Sequence, residues 1–429
     1  MALQAAHSIV ITMERVKGWA FFAFLLTVPI FYLVNQPDSR MVQERYFQAA
    51  VMGLASLFFG NIWLTLFMWL NLALFTYHGA ETGASQVLSI FLTSILFAVS
   101  RTYFTKHKIA SVMPALQIVC LLTLGFMLAQ AFGVDPLNTS LTADGTPKPY
   151  STYNLLSGLF SLPAFNAIFL TLVASLMAFL SGPIWLLLLF VTLDARCSAA
   201  IFAWAFLIPF YVYYKRPRLF KPVLLVGIIA FGAYTYQDFA TDKLTYNSRF
   251  ENWHLMLRHS LMPPIGWGPD SFRNYNSHKN FLFRSDKDYQ PLLETRLNES
   301  TLHFRYHSAD AGRWRERFQG KIPEMDKLGA WDTAHNDWLQ YVFEYGWIFG
   351  LPLLIGFLRE VWLRFRYSDK RDEVLALFAC ICVFGLTATT QFPFHLARLS
   401  GIFGIILGAY SAVTDHDYDF ITKEIKDAS

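Results

Sequence analysis

The sequence predicts an all-α membrane protein that crosses the bilayer many times. Hydrophobic residues make up 54% of the 429-residue chain and charged residues only 15%, whereas soluble globular domains carry about 25% charged residues. Apolar runs long enough to cross a hydrocarbon core of about 30 Å recur along most of the chain. One polar stretch, residues 240–335, interrupts them. These observations predict about twelve transmembrane helices and one large loop domain outside the membrane.

The predicted spans follow one another closely along the chain. The first, from Trp19 to Val34, comes after Arg15 and Lys17 and lacks a small-residue cleavage site, so we expect it to be retained and not removed as a signal peptide. The others are 47–60, 62–78, 85–104, 110–133, 158–180, 183–194, 197–214, 221–239, 338–363, 373–391 and 396–414. The chain then divides into spans in 1–239, the loop domain 240–335, further spans in 336–414 and a tail, 415–429.

The distribution of Lys and Arg predicts which loops face the cytoplasm. With the N-terminus inside, the short outer loops hold little beyond Arg40, Arg45 and Lys148. The loop domain 240–335 then lies outside and the tail inside. The inner loops hold Arg101, Lys106, Lys108, Lys215, Arg216, Arg218, Lys221, Arg364, Arg366, Lys370 and Arg371.

Charge and cysteine content exclude several classes of function. The net charge of +4 is modest and follows from the membrane topology, so we expect no nucleic-acid partner. Three of the four cysteines fall inside apolar runs, and no disulfide framework is indicated. Cys380 and Cys382 are two residues apart, a spacing that points them in different directions from a helix. We therefore predict neither a metal site nor a cofactor.

Three basic or titratable residues are predicted at the outer face, each near the start of a helix. Arg196 lies between two spans, Arg249 is in the first turn of a helix that Ser248 caps, and His335 comes just before the span 338–363. Arginine at a helix N-terminus is disfavoured by a few tenths to about 1 kcal/mol, unless an anion is bound there. Together with free helix N–H groups, the guanidinium groups predict a site for a phosphorylated or pyrophosphorylated group.

Each of these residues also has a simpler interpretation. Arg196 could extend its side chain to the interface beside Asp194, and Arg249 could pair with Glu251. A histidine at a helix start is often only a surface residue. It is the occurrence of all three on one face that favours a binding site.

Two further residues near His335 are candidate supporting residues. Asn336 either caps the helix or positions a substrate. Glu344 lies nine residues beyond His335 and is interpreted as a buried polar packing residue, although an acidic residue inside a span is also a functional candidate. The following Gly346-x-x-x-Gly350 has the spacing of small residues at close helix–helix contacts.

Four segments of the chain have motifs in common with a known family. They are Thr192-Leu-Asp-Ala-Arg196 before an apolar span, Ser248-Arg249-Phe-Glu-Asn-Trp253, Pro264-Ile-Gly266-Trp-Gly268-Pro-Asp-Ser-Phe272, and His335-Asn336-x-x-Leu339-x-x-x-x-Glu344-x-Gly346-x-x-x-Gly350. Together they resemble the O-antigen ligase and O-antigen polymerase superfamily of bacterial inner-membrane proteins. The resemblance covers residues 190–350 well, and the first half of the chain only in its spans.

The resemblance implies a GT-C-like, metal-independent, inverting glycosyltransferase of the bacterial inner membrane whose active site faces the periplasm. Its donor would be an undecaprenyl-diphosphate-linked glycan and its acceptor a sugar hydroxyl of lipid A-core. Arg196 and Arg249 would hold the diphosphate as it leaves, and His335 would act as general base on the acceptor hydroxyl. No cofactor is implied.

The sequence leaves the exact reaction open. A polymerase of the same superfamily, which transfers the glycan to another repeat unit, shares these motifs, and we favour the ligase. A transporter of the same lipid is a weaker alternative, because transporters place charged residues near the membrane midplane, often in broken helices. The predicted spans contain almost no charged residue apart from Glu344.

Overall fold

The structure is a computed structural model, and helix accounts for 89% of the residues that it describes, with no strand among them. The predicted all-α class therefore holds for the described part of the chain. The described residues are 52–54, 56–57, 61–78, 84–132, 163–194, 198–241, 253, 256–257, 264–266, 268–269, 336–389, 393–395 and 397–427.

The α-helices follow the apolar runs of the sequence. The described α-helices are α1 (Ile62–His78), α2 (Ala84–Phe104), α3 (Met113–Ala131), α4 (Pro163–Leu180), α5 (Leu188–Asp194), α6 (Ser198–Lys215), α7 (Phe220–Thr241), α8 (Asp337–Tyr345), α9 (Leu351–Tyr367), α10 (Asp372–Thr387) and α11 (Ala397–Asp427). Four of them follow a short 3₁₀-helix: Ile109–Val112 lies before α3, Pro183–Leu187 before α5, Pro217–Leu219 before α7 and Pro393–His395 before α11.

The described helices do not confirm the predicted count of twelve spans. Two helical stretches among the described residues are both long and apolar enough to cross a membrane, Ile109–Ala131 with 23 residues and Asp337–Tyr367 with 31. Shorter apolar helices coincide with several other predicted spans. The predicted span 19–34 lies outside the described residues, and α11 continues past the predicted end of its span at 414.

Ion pairs join the ends of the helices that carry the predicted inner loops. Arg101 at the end of α2 donates to Asp415 of α11 at 2.8 Å, and Arg364 of α9 donates to the same carboxylate at 2.7 Å. Lys215 at the end of α6 pairs with Asp372 at the start of α10. The three basic loops predicted on the cytoplasmic side therefore lie at one end of the helical bundle, which we call the basic end.

The helix termini that matter for the site lie at the opposite end of the bundle. Helices α6 and α10 pack together, and the Lys215–Asp372 pair fixes them as antiparallel. The start of α6 at Ser198 and the end of α10 therefore lie away from the basic end. Asp337 N donates to Ala388 O at 2.8 Å, so α8 also begins there. We call this the outer end.

The core of the bundle is built around α4. Its side chains from Phe165 to Phe179 are almost all buried, as expected for a helix that is apolar on every side and surrounded by others. By contrast, α3 and α7 expose many large apolar side chains, such as Leu121 and Ile229. An apolar outer surface of this kind fits a lipid environment and not water.

Two glycines of α11 bring it into close contact with the backbone of α2. A Cβ atom on Gly404 would lie 2.3 Å from Thr93 O, and one on Gly408 would lie 2.3 Å from Phe97 O. The two helix backbones therefore touch through the spacing Gly404-x-x-x-Gly408. The sequence interpretation assigned such a contact to Gly346-x-x-x-Gly350, and that was wrong, because the helix breaks at Gly346.

Candidate functional site

Asn336 is the N-cap residue of helix α8, and its backbone is extended (φ −159°, ψ 98°). Its Oδ1 accepts a hydrogen bond from Leu339 N at 3.1 Å. This bond satisfies one of the N–H groups that a helix start leaves without an intrahelical partner. Of the two predicted roles for Asn336, capping is the one that the geometry shows.

Asp337 fastens the start of α8 to the outer end of α10. Its side chain is 2% exposed, and Oδ2 accepts a hydrogen bond from Phe394 N at 2.7 Å, while its backbone N–H is bound to Ala388 O. Trp338 adds a bond from Nε1 to Gly385 O at 2.9 Å. The sequence interpretation missed Asp337, although an acidic residue in the first turn of a helix is a recognisable signal.

Glu344 is a buried packing residue, as the sequence predicted. It is 0% exposed, and its Oε1 accepts a hydrogen bond from Gln340 Nε2 at 2.8 Å. One turn of helix separates the two residues, so the pair forms within α8. Next to it, Tyr345 donates its hydroxyl to Asn71 Oδ1 of α1 at 2.7 Å. These bonds fix α8 against α1 and give its buried polar groups partners.

The helix that begins at Asp337 breaks after about two and a half turns. Gly346 has φ +73°, and the five residues from Gly346 to Gly350 form a π-helical segment before α9 begins. Gly266 (φ +83°) and Gly268 (φ +98°) form a tight turn in the loop, a structure that two closely spaced glycines favour. This turn packs against the break in the helix.

The loop helix that carries Arg249 in the sequence is described at only three positions. Trp253, Met256 and Leu257 are helical, in agreement with the predicted helix. Met256 is fully buried whereas Leu257 is 48% exposed. The helical spacing of Phe250, Trp253, Leu257 and Leu261 in the sequence predicts that Leu257 lies on the apolar, packed face. That prediction is wrong for Leu257, because Met256, one position earlier, is the buried side chain.

Arg196 falls in the sequence between α5, which ends at Asp194, and α6, which begins at Ser198. Trp204 of α6 donates its Nε1 to Thr192 Oγ1 of α5 at 2.8 Å, which ties the two helices of this hairpin together.

Alanines bring the start of α4 against the start of α6. Ala167 of α4 packs with Ala199 and Ala200 of α6. One residue before Ala167, Asn166 is fully buried. Its Oδ1 has no hydrogen-bond partner among the described residues, while its Nδ2 lies 2.9 Å from Met127 Sδ. The sequence interpretation missed this buried amide, which lies inside an otherwise apolar run.

The three residues predicted to do the chemistry, Arg196, Arg249 and His335, lie outside the described residues. Described helices lie on both sides of Arg196 and directly after Asn336 on the C-terminal side of His335, and the starts of two of them, α6 and α8, lie at the outer end of the bundle. The turn that follows Arg249 in the sequence contacts the end of α8. Among the described residues, no group of three His, Cys, Asp or Glu side chains is placed to hold a metal ion.

The chain was also compared with known proteins. No protein-family model, no curated protein and no solved structure matches it.

Proposed function

We propose that this protein is a membrane-embedded glycosyltransferase, an O-antigen ligase. It transfers a glycan from an undecaprenyl-diphosphate donor to a sugar hydroxyl of lipid A-core at the periplasmic face. One observation carries the proposal: the helix starts that follow Arg196 and His335 are at the same end of the bundle, the end opposite the basic loops. The sequence motifs at these positions support the same reaction.

Each proposed role follows from the chemistry of a diphosphate leaving group. The acceptor oxygen attacks the anomeric carbon of the donor sugar, the bond from that carbon to the diphosphate oxygen breaks, and the acceptor proton passes to His335. Arg196 and Arg249 bind the diphosphate and stabilise the charge that it gains on leaving. Attack from the side opposite the leaving group inverts the anomeric centre.

The start of α8 supports the role of His335. Asn336 and Asp337, the next two residues, are occupied in holding the helix start in place. A general base must be held within hydrogen-bond reach of the proton that it removes. A helix start with its backbone fixed to α10 is a suitable support for such a base.

A polymerase of the same superfamily remains the first alternative, and transport of the lipid-linked glycan is the weaker one, although one observation favours it. The helix is broken at Gly346 beside the buried Glu344, which is the combination expected at a transporter's binding site. Here, however, the loop turn occupies the backbone groups at the break, and Gln340 binds the Glu344 carboxylate. These groups are used for structure, so transport stays the weaker alternative.

Reconstitution in lipid vesicles tests the proposal. Purified protein is supplied with a lipid-linked glycan, with and without lipid A-core, and the products are separated on a gel. The ligase requires lipid A-core for any product. A ladder of longer donor-linked glycans without lipid A-core would identify a polymerase instead. Movement of the labelled donor between leaflets with no glycan transfer would identify a transporter.

A further inference from the structure

We infer that Gly266 and Gly346 form a backbone clamp whose purpose is to position the donor-binding loop relative to the general base. This inference rests on the proposed function and adds two positioning residues to it. The clamp consists of the turn Pro264–Gly268 of the loop and the break at Glu344–Ile348.

The two backbones are too close for any side chain at either glycine. A Cβ atom on Gly346 would lie 2.4 Å from both Gly266 N and Pro264 O. One on Gly266 would lie 2.3 Å from Glu344 O. Both glycines also have positive φ, a backbone conformation that residues with a side chain rarely adopt. Glycine is therefore required on both sides of the contact.

The turn replaces a hydrogen bond of the helix. In a continuous α-helix, Ile348 N would donate to Glu344 O, four residues earlier. Here Ile348 N donates to Pro264 O at 3.1 Å, and Glu344 O accepts from Gly268 N at 2.9 Å. Both groups at the break obtain partners from the loop, so detaching the loop would leave the carbonyl of the buried Glu344 and the N–H of Ile348 without these partners.

The clamp joins the two segments that carry the proposed catalytic groups. Arg249 precedes Gly266 by 17 residues, and His335 precedes Gly346 by 11. From the clamp, α8 extends for nine residues back to its fixed start beside His335, a length of about 13 Å. A displacement of about 1 Å between bound donor and base is enough to lower a reaction rate about 10²-fold. A rigid backbone contact between the two segments would prevent such a displacement.

The test compares Gly346→Ala with Gly182→Ala in the full-length protein. Gly182 also has positive φ (+95°), but a Cβ atom there would meet nothing within 4 Å. Gly182→Ala therefore introduces the same kind of backbone strain as Gly346→Ala, but no steric clash with a neighbouring backbone. Amide hydrogen exchange at Gly268 and Ile348 reports the clamp, and kcat and the donor KM, normalised to folded protein, report the reaction.

We expect Gly346→Ala to accelerate exchange at both amides and to lower kcat about 10²-fold, with the donor KM changed less than about threefold. Gly182→Ala should change neither. Pro264→Gly serves as a milder variant in case Gly346→Ala does not fold, since Pro264 is exposed and the change adds no atom. It should accelerate exchange at Ile348 and lower kcat to a smaller extent.

Faster exchange with an unchanged kcat in Gly346→Ala or Pro264→Gly would overturn the positioning role and leave the proposed function intact. Unchanged exchange in both variants would show that the clamp does not hold the loop. If the wild-type protein transfers no glycan, the proposed function fails, and the exchange data still decide whether the clamp exists.

Discussion

Asn336 and Asp337 hold the start of α8 in place, and the residue before them in the sequence, His335, is proposed to take part in the chemistry. Asn336 caps the helix, and Asp337 binds the backbone of Phe394 at the other side of the outer end. Both side chains are committed to holding the helix start. His335, the residue before them in the sequence, is the proposed general base, a role for which the imidazole group is well suited.

His335→Ala should remove the base and leave the helix start in place. We expect a loss of about 10²–10⁴ in transfer rate, with folding and donor binding nearly unchanged. The assay uses purified protein with lipid-linked glycan and acceptor. His107→Ala is the matched control, since His107 is exposed at the basic end and stacks on Tyr103. Wild-type turnover by His335→Ala would remove this residue from the mechanism.

Two buried asparagines should respond oppositely to replacement by leucine. Asn71 has partners for both amide atoms, Tyr345 at Oδ1 and Phe67 O at Nδ2. The Oδ1 atom of Asn166 has none among the described residues. Removing an amide that is hydrogen-bonded leaves its buried partner without a hydrogen bond and lowers the free energy of unfolding by about 1–3 kcal/mol. Removing an amide oxygen that has no partner is neutral or raises it.

Thermal unfolding in detergent should therefore show a lower Tm for Asn71→Leu and an equal or higher Tm for Asn166→Leu. A clear destabilisation by Asn166→Leu would mean that the Asn166 oxygen has a partner in the native protein.

At the level of helices, the contact between α2 and α11 depends on the absence of side chains. Gly408→Ala places a Cβ atom 2.3 Å from Phe97 O, so the two helices must move apart. We expect a loss of about 1–3 kcal/mol, the usual range for overpacking. Gly125→Ala is the control, because a Cβ atom there meets nothing within 4 Å and alanine favours a helix. Equal Tm values for the two variants would contradict the close contact.

The ion pairs at the basic end also join separate helices. Asp415 accepts hydrogen bonds from Arg101 and Arg364, and its side chain is only 23% exposed. Asp415→Asn should lower the free energy of unfolding by roughly 1.5–3 kcal/mol, as expected for hydrogen bonds to charged groups. Asp372→Asn breaks the more exposed pair with Lys215 and should have little effect. A loss as large for Asp372→Asn would refute this ranking.

At the scale of the whole molecule, the two ends of the bundle differ in character. The basic end holds ion pairs that join α2, α6, α9, α10 and α11. The outer end joins its helices through hydrogen bonds to backbone groups, including those made by the side chains of Asp337 and Trp338, and through packed alanines. Under the proposed function, the positive-inside rule would assign the basic end to the cytoplasm. The proposed transfer to a periplasmic substrate would then take place at the outer end.

The metal independence of the proposed transfer can be tested directly. Asp286 and Asp288 in the loop have a spacing that can present two carboxylates to a divalent cation. We nevertheless expect transfer to survive EDTA, because Arg196 and Arg249 supply the positive charge that the diphosphate requires. The assay is repeated after chelation, with Asp286→Asn as a further check. Activity lost with EDTA and restored by Mg²⁺ or Mn²⁺ would contradict this expectation.

The sequence by itself determined where the helices of the described part lie and which of their ends are basic. Hydropathy and charge are properties of a single stretch, so the bounds of α2, α4 and α6 could be predicted without knowing their neighbours. The cap at Asn336 and the burial of Glu344 were predictable for the same reason, since each depends on residues a few positions away.

Only the tertiary structure decided which glycines touch a neighbour and which polar groups are bound. Gly346-x-x-x-Gly350 and Gly404-x-x-x-Gly408 have the same spacing, yet the first meets a loop turn and the second a helix. The partner of Asp337 lies 57 residues away in the sequence. Such contacts depend on backbones that meet after the helices have packed, and no local pattern in a single stretch contains that information.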